Sequence, residues 1–295
     1  MPLSPRGRKI TAALLRRFPL PGLDGDGDKE HRGRVLVVGG ETSLPGAVVL
    51  ASVAALRVGA GKLQIAAGRS ISVHIGVAVP ESMSLGLRET REGRISPASA
   101  KEIAGLAADA DAVLVGPGMT TATSNTRLTS AIIESGLTPI VLDAGALGAL
   151  RQSAGILGPR QGAAVLTPHA GEMATLLSIG EDEVAENAPD IAVEAATRFG
   201  ATVILKGATT FIANPDASLF LYDKGDIGLA TSGSGDALAG MTAGLLARGA
   251  PPLNAALWAV HLHGAAGNLL ARKFGRVGYL ARELLQEVPG LIRSR

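Results

Sequence analysis

Apolar residues fall in short continuous runs rather than in strict alternation, and each run closes on Gly, Asp, Thr or Lys. Residues 34–39 (Arg-Val-Leu-Val-Val-Gly) have the form of a strand buried on both faces, as in a parallel sheet. The same form recurs at residues 63–67, 112–115, 139–142, 164–166 and 202–205, while 211–213 and 219–222 read as a hairpin. Between these runs, apolar positions repeat at helical spacing over residues 46–58, 97–108, 125–135, 171–177, 181–199, 236–248 and 253–273. Residues 1–33 read as a short helix and then a loop, with Pro, Gly and Asp crowded into 19–28. Alternating strands and helices predict an α/β fold: three layers, with a mostly parallel central sheet and helices on both faces. No repeat or linker divides the chain, so residues 1–295 are expected to form one domain.

Composition narrows the picture. Hydrophobic residues make up 46% and charged residues 18%, enough for a large core. Only 3% are aromatic, so the core must be Ala, Val, Leu and Ile, and a purine pocket is expected to have aliphatic walls. The net charge is +2. Arg6, Arg8, Lys9, Arg16 and Arg17 cluster near the start, where a solvated helix is expected. Elsewhere basic residues are scattered without interleaved aromatics, which argues against a nucleic-acid partner. The lack of cysteine removes disulfides, thiolate metal sites and Cys nucleophiles, and fits a cytoplasmic protein. Apolar runs such as residues 46–56 are too short to span a bilayer, and Arg16-Arg17 interrupts any signal-peptide core.

In open α/β sheets, ligands bind beyond the C-terminal ends of the strands. Here those ends carry Gly39-Gly40, Gly116-Pro-Gly118, Asp143, Thr167-Pro-His169 and Lys206-Gly207. Each has a plain structural reading beside a functional one. Asp143 suits the cap of a helix over 144–150. Glu172 suits the dipole of a first helical turn. His169 suits a satisfied loop residue. Lys206 suits the surface of an edge strand, yet it interrupts an apolar run just before Gly207, which favours a ligand.

The sharpest signal is Thr231-Ser-Gly-Ser-Gly-Asp-Ala-Leu-Ala-Gly240. Gly233 and Gly235 let backbone N–H groups approach a ligand at the start of a helix, where the dipole favours an anion. A carboxylate beside a phosphate site makes sense if Asp236 takes a proton from a hydroxyl about to attack that phosphate. The plain alternative is an acidic residue stabilised by the helix dipole. Other nucleotide motifs are missing. Gly39-Gly40-Glu-Thr-Ser-Leu-Pro-Gly46 lacks the G-x-G-x-x-G spacing, and no G-x-x-x-x-G-K-[ST], G-x-S-x-G or H-E-x-x-H occurs.

Taken together, the chain resembles the ADP-dependent NAD(P)H-hydrate dehydratases of the ribokinase-like superfamily. The segments that carry the likeness are Gly33-Arg-Val-Leu-Val-Val-Gly-Gly40, Pro45-Gly-Ala47, Gly59-Ala-Gly61, Val115-Gly-Pro-Gly118 and Leu142-Asp-Ala-Gly-Ala-Leu147. They continue with Leu166-Thr-Pro-His-Ala-Gly-Glu172, Leu205-Lys-Gly-Ala208, the Gly233–Asp236 turn and His263-Gly-Ala-Ala266. The turn marks the superfamily; the Thr-Pro-His and His-Gly-Ala-Ala segments mark the dehydratases more narrowly. Two positions depart: Ala170 stands where the family usually has Pro, and Ser232 where it usually has Gly.

The resemblance implies a ribokinase-like three-layer fold and a lyase that repairs hydrated NADH and NADPH. ADP would phosphorylate the C6 hydroxyl of the S epimer, and elimination would give NAD(P)H, AMP and phosphate. It assigns Asp236 as the catalytic base. Ala47, Gly118, His169 and Asp236 would contact the hydrated dinucleotide. Lys206, Gly207, Ala208, Thr209, Thr210 and Gly235 would hold the adenine nucleotide. Glu172 matches an acidic residue that helps hold Mg2+ through water; no direct metal ligand is assigned. The expected state is a homotetramer without the epimerase domain many relatives carry. Two rivals remain: a vitamin or hydroxymethyl-compound kinase of the same superfamily, and a non-catalytic nucleotide-binding regulator.

Overall fold

The computed structural model describes residues 7–22, 29–153, 155–160 and 162–293. Its strands are β1 (Arg8–Lys9), β2 (Arg34–Val38), β3 (Lys62–Gly68), β4 (Met83–Leu87), β5 (Ala112–Val115), β6 (Ile140–Leu142), β7 (Ala164–Leu166), β8 (Thr202–Leu205), β9 (Thr210–Ala213) and β10 (Leu219–Tyr222). Its helices are α1 (Ala12–Leu15), α2 (Pro45–Arg57), α3 (Arg69–Ala78), α4 (Ala100–Ala108), α5 (Thr123–Glu134), α6 (Gly148–Gln152), α7 (Ala170–Leu177), α8 (Glu181–Glu186), α9 (Ala188–Phe199), α10 (Ser234–Ala247), α11 (Pro252–Phe274) and α12 (Ala281–Arg293).

Among the described residues these strands form one ten-stranded sheet in the order β1-β10-β9-β8-β7-β6-β5-β2-β3-β4. Pairing is parallel except at β9, which runs antiparallel to β8 and β10. Every strand residue points alternately to one face or the other, so a fully buried strand feeds two cores. Val35, Val37, Ile65 and Leu114 enter the core beneath α2, α3, α10 and α11. Leu36, Val38, Val113 and Val115 enter the opposite core, closed by α4, α5, α7 and α9. This is the expected three-layer fold.

Helix α10 is the central post of the first layer and is buried along nearly its whole length. It can sit there because Gly240 removes a side chain: a Cβ would collide with the Ala51 carbonyl oxygen of α2. Close backbone approach therefore locks α10 against α2 and fixes where the α10 N-terminus points.

Several sequence expectations change. The basic N-terminus is not a solvated helix: Arg8 and Lys9 extend the sheet beside β10, and Lys9 pairs with Asp223 at 2.6 Å. Only Ala12–Leu15 is helical there, with Leu14 and Leu15 buried. Arg6 and part of the expected 19–28 loop lie outside the described residues. The single helix expected over 181–199 is two, broken at Asn187, because Pro189 sits where only the first turn of a new helix accepts it. Residues 144–150 divide into a 3-10 turn, Ala144–Leu147, and the start of α6. Elements α3, β4 and α12 were not anticipated. The side chain of Lys206 does not extend from an edge strand: β8 lies between β7 and β9.

Candidate active site

The strand order reverses between β2 and β5: β3 and β4 lie to one side of that pair, and β6, β7 and β8 to the other. Such a switch point opens a crevice at the strand ends. The two loops that leave it are joined, with Gly40 N–H donating to Pro117 O at 2.8 Å and Glu41 N–H to Gly118 O at 3.0 Å. Gly118 has φ +69, and the space its missing side chain leaves is 3.2 Å from the Ala47 methyl. The structure thus brings together Ala47 and Gly118, two of the positions expected at the dinucleotide.

Beneath this crevice one buried carboxylate, Asp143, ties the ends of β6, β7 and β8 together. Asp143 is only 3% exposed and does not cap the helix that follows it. Its Oδ1 instead accepts from the Thr167 hydroxyl at 2.6 Å and from Lys206 Nζ at 3.1 Å. Lys206 also lies 3.6 Å from Glu172 Oε2. Burial alone would push Lys206 down. The charges of Asp143 and Glu172, the hydrogen bond to Asp143 and the charge of Asp236 outweigh it, so its pKa is raised.

Glu172 and His169 form a reciprocal cap at the start of α7. His169 Nδ1 accepts from the N–H groups of Gly171 and Glu172 at 3.0 and 3.3 Å, and Glu172 Oε2 accepts from His169 N–H at 2.8 Å. An Nδ1 that accepts leaves the ring proton on Nε2, which lies 3.5 Å from Glu172 Oε1. The loop reading of His169 and the dipole reading of Glu172 both hold in part, but both side chains also face the crevice. Ala170, the departure from Pro, is the first residue of α7, a position where Pro is favoured but Ala fits without strain.

The Gly-Ser-Gly-Asp turn forms the other wall. Gly233 caps α10 with φ +86, a left-handed conformation that suits glycine. Ser232 is absent from the residues of positive φ, so the departure from Gly costs no backbone strain. Asp236 lies three residues inside the cap. Burial pushes its carboxyl up to about 6; Asp143 and Glu172 add to this and Lys206 opposes it. A dipole-stabilised acid would be shifted the other way, so the field of Asp143 and the desolvation dominate here.

Two cavities meet at His169. One, of about 750 Å³, is lined by Lys206, Gly207, Ala208, Thr210, Ser234 and Gly235, with apolar walls from Ile227, Leu229, Leu238 and Val260. Tyr222 and His263 also line it, so the wall is not purely aliphatic as expected. The other, of about 740 Å³, is more polar than the first and opens past Met119, Thr120, Ala144, Arg151, Glu172 and Thr175. Thr209, Ala47, Gly118 and Asp236 line neither cavity. Asp143 and His263 are the site neighbours that sequence reasoning left without a role. Asp143 had a strand-end signal, and His263 opened a quoted motif.

A mostly parallel sheet with a glycine-capped helix, a half-buried carboxyl and a lysine at one switch-point crevice has the architecture of a ribokinase-like enzyme. Similarity narrows this further. Residues 35–290 match the family model described as NAD(P)H-hydrate dehydratase, and the chain belongs to that family. It is 48% identical over 290 residues, 98% of this chain and 97% of its relative, to an ADP-dependent (S)-NAD(P)H-hydrate dehydratase of Xanthomonas campestris. It is 37% identical to a bifunctional NAD(P)H-hydrate repair enzyme of Moorella thermoacetica, covering 97% of this chain but 54% of that protein. A solved structure of the ADP/ATP-dependent NAD(P)H-hydrate dehydratase of Bacillus subtilis, co-crystallised with ATP/Mg2+, superposes with TM-score 0.81 at 28% identity, covering 99% of each chain.

Proposed function

We propose that this chain is a hydro-lyase that uses ADP to dehydrate the S epimer of hydrated NADH and NADPH. Hydroxide leaves poorly from C6 of the damaged ring. Asp236 takes the C6 hydroxyl proton as the oxygen attacks the terminal phosphorus of ADP; the bond to AMP breaks. The ring nitrogen lone pair then expels phosphate, and loss of the neighbouring ring proton restores the dihydropyridine. Lys206, Gly207, Ala208, Thr210 and Gly235 hold the nucleotide in the cavity with apolar walls, and Thr209 holds it from the loop beside that cavity. Ala47, Gly118, His169 and Asp236 hold the dinucleotide, whose far half runs into the second cavity beyond His169. The backbone N–H groups after Gly233 stabilise the transferring group.

The observation that carries this reading is Asp236 itself. A carboxyl raised to about 6, beside Lys206 and just inside an anion-binding turn, is poised to accept a proton near neutral pH. Among the described residues no group of three or more His, Asp or Glu is arranged to hold a metal ion. Glu172 and Asp143 are already engaged with Lys206. These side chains do not form a direct Mg2+ site, so no step is assigned to the ion; any Mg2+ would come with the nucleotide phosphates.

The proposal extends to a cytoplasmic homotetramer. Among the described residues no helix is long and apolar enough to cross a membrane. Val73 and Val77, one turn apart on α3 and 73% and 79% exposed, offer apolar surface for a subunit contact; light scattering reads the mass. The functional test is incubation with hydrated NADH and ADP, ATP or no nucleotide. NADH absorbance returning only with nucleotide supports the reading. A stable phosphoester product would make the protein a kinase instead.

A further inference from the structure

His263 begins the His263-Gly-Ala-Ala266 segment, which the reaction above leaves unused. It sits on α11, and its Nε2 lies 2.8 Å from the Oγ of Ser234. Ser234 is buried, 5% exposed, and is the first residue of α10, between Gly233 and Gly235. Both side chains line the cavity with apolar walls.

A phosphate needs only backbone N–H groups and glycine from such a turn, so a serine there needs its own reason. A hydroxyl has one hydrogen. If Ser234 gave it to His263, only oxygen lone pairs would face an incoming phosphoryl group, and these repel it. If Nε2–H donates to Oγ, the hydroxyl hydrogen is free to point into the cavity. The ring is neutral at physiological pH: burial pushes it down to about 4, a hydrogen bond with the Ser234 backbone works against that shift, and the charge of Lys206 adds to it. A neutral imidazole carries one ring N–H, and the phosphate that enters the cavity selects the tautomer with it on Nε2.

We propose that His263 is a positioning residue whose Nε2–H holds Ser234 Oγ, so that the Ser234 hydroxyl donates to a phosphoryl oxygen of the bound nucleotide. The inference rests on reading the turn as the phosphoryl site. It makes Ser234 a contact to the transferring group and gives the histidine of a dehydratase-type segment a task.

The test is a double-mutant cycle: wild type, Ser234→Ala, His263→Ala, the double variant, and His263→Gln as a conservative replacement. For each protein, kcat, KM for ADP, KM for hydrated NADH, ADP affinity by calorimetry and Tm are measured. Loss of one donor to developing charge costs up to about 10²–10³ in rate, and a shared hydroxyl is expected to cost about 10- to 100-fold. Each single alanine variant should lower kcat/KM for ADP by that factor. The double variant should lose no more than Ser234→Ala alone, because the two act through one hydrogen bond. His263→Gln, whose amide N–H can reach Oγ, should recover most of the loss, and KM for hydrated NADH should not move. Losses that multiply in the double variant would overturn the proposal. So would a His263→Ala protein within about twofold of wild type. A wild type inactive with ADP would sink the dehydratase reading instead, and ADP affinity across the same five proteins would still decide the pairing.

Discussion

Glu41 and Asp143 each follow the C-terminal end of a strand, β2 and β6, and each is buried, 4% and 3% exposed. Glu41 is wrapped by neutral donors. Thr120 gives its N–H at 2.9 Å and its hydroxyl at 2.8 Å, and Asn125 gives its amide at 2.7 Å. Its one ionic neighbour, Arg94, stands 3.5 Å off. Asp143 has one hydroxyl donor, Thr167, and a lysine that it shares with Glu172. The first carboxylate is satisfied from all sides and fastens the loop after β2 to the start of α5. The second sends its charge outward, raising both Lys206 and Asp236. Glu41 figures in neither shift. Burial by itself therefore does not mark a functional acid. What separates the two is whether the field reaches Asp236, the proposed base.

That contrast can be broken most directly at Asp236. Asp236→Asn should keep ADP affinity by calorimetry and lose turnover by about 10²–10⁴-fold, the usual cost of removing a general base. Turnover within about tenfold of wild type would remove Asp236 as the base, and with it the purpose of Asp143's field. Next in size is Glu41→Ala. It leaves buried donors of Thr120 and Asn125 unpaired, and should cost about 3 kcal/mol of unfolding free energy in urea titration. The pH midpoint of the remaining activity should not move; a shifted midpoint would erase the distinction between the two carboxylates.

A smaller effect is expected from Asp143→Asn. It removes a charge that raises Asp236, so the acid limb of kcat/KM, centred at about 6 in the wild type, should move to lower pH. An unmoved limb would show that the charge of Asp143 does not set Asp236. The smallest effect is on stability. The folded-state pKa of Asp236 lies above its ordinary 3.8, so the folded protein binds that proton more tightly than the unfolded chain does. The resulting stability is present below 3.8 and lost as pH rises to about 6. Asp236→Asn should therefore melt a few degrees higher than wild type at pH 8, and at the same temperature at pH 3.

Much of this was legible along the chain. The continuous apolar runs located eight of the ten strands within a residue or two, all but β1 and β4. Strand β4, Met-Ser-Leu-Gly-Leu, is an edge strand with Met83 exposed, so it lacks the doubly buried pattern. Strand β1 is two basic residues with exposed side chains, and only its backbone belongs to the sheet. Helix α12 carries Pro289, which reads as a breaker in isolation. At the site, the Gly233–Asp236 turn and Lys206 stood out because glycine and charge interrupt apolar runs. Asp143 did not, because a helix cap explains an Asp before a helix equally well. The pairing of His263 with Ser234 left no local trace, since 29 residues separate them.

The sequence by itself determined the layered architecture, because hydrophobic burial depends on where apolar residues recur and not on which elements they meet. It also determined the family, the glycine-rich turn at the start of α10 and the inventory of strand-end groups. Only the tertiary structure decided what those groups do to one another. Electrostatic fields and hydrogen bonds act over a few ångströms, and residues 143, 172, 206 and 236 come within that range only when parallel strands align their ends. The same alignment turned Asp143 from a cap into the charge beside Lys206, and Asp236 from a dipole-stabilised acid into a carboxyl raised to about 6.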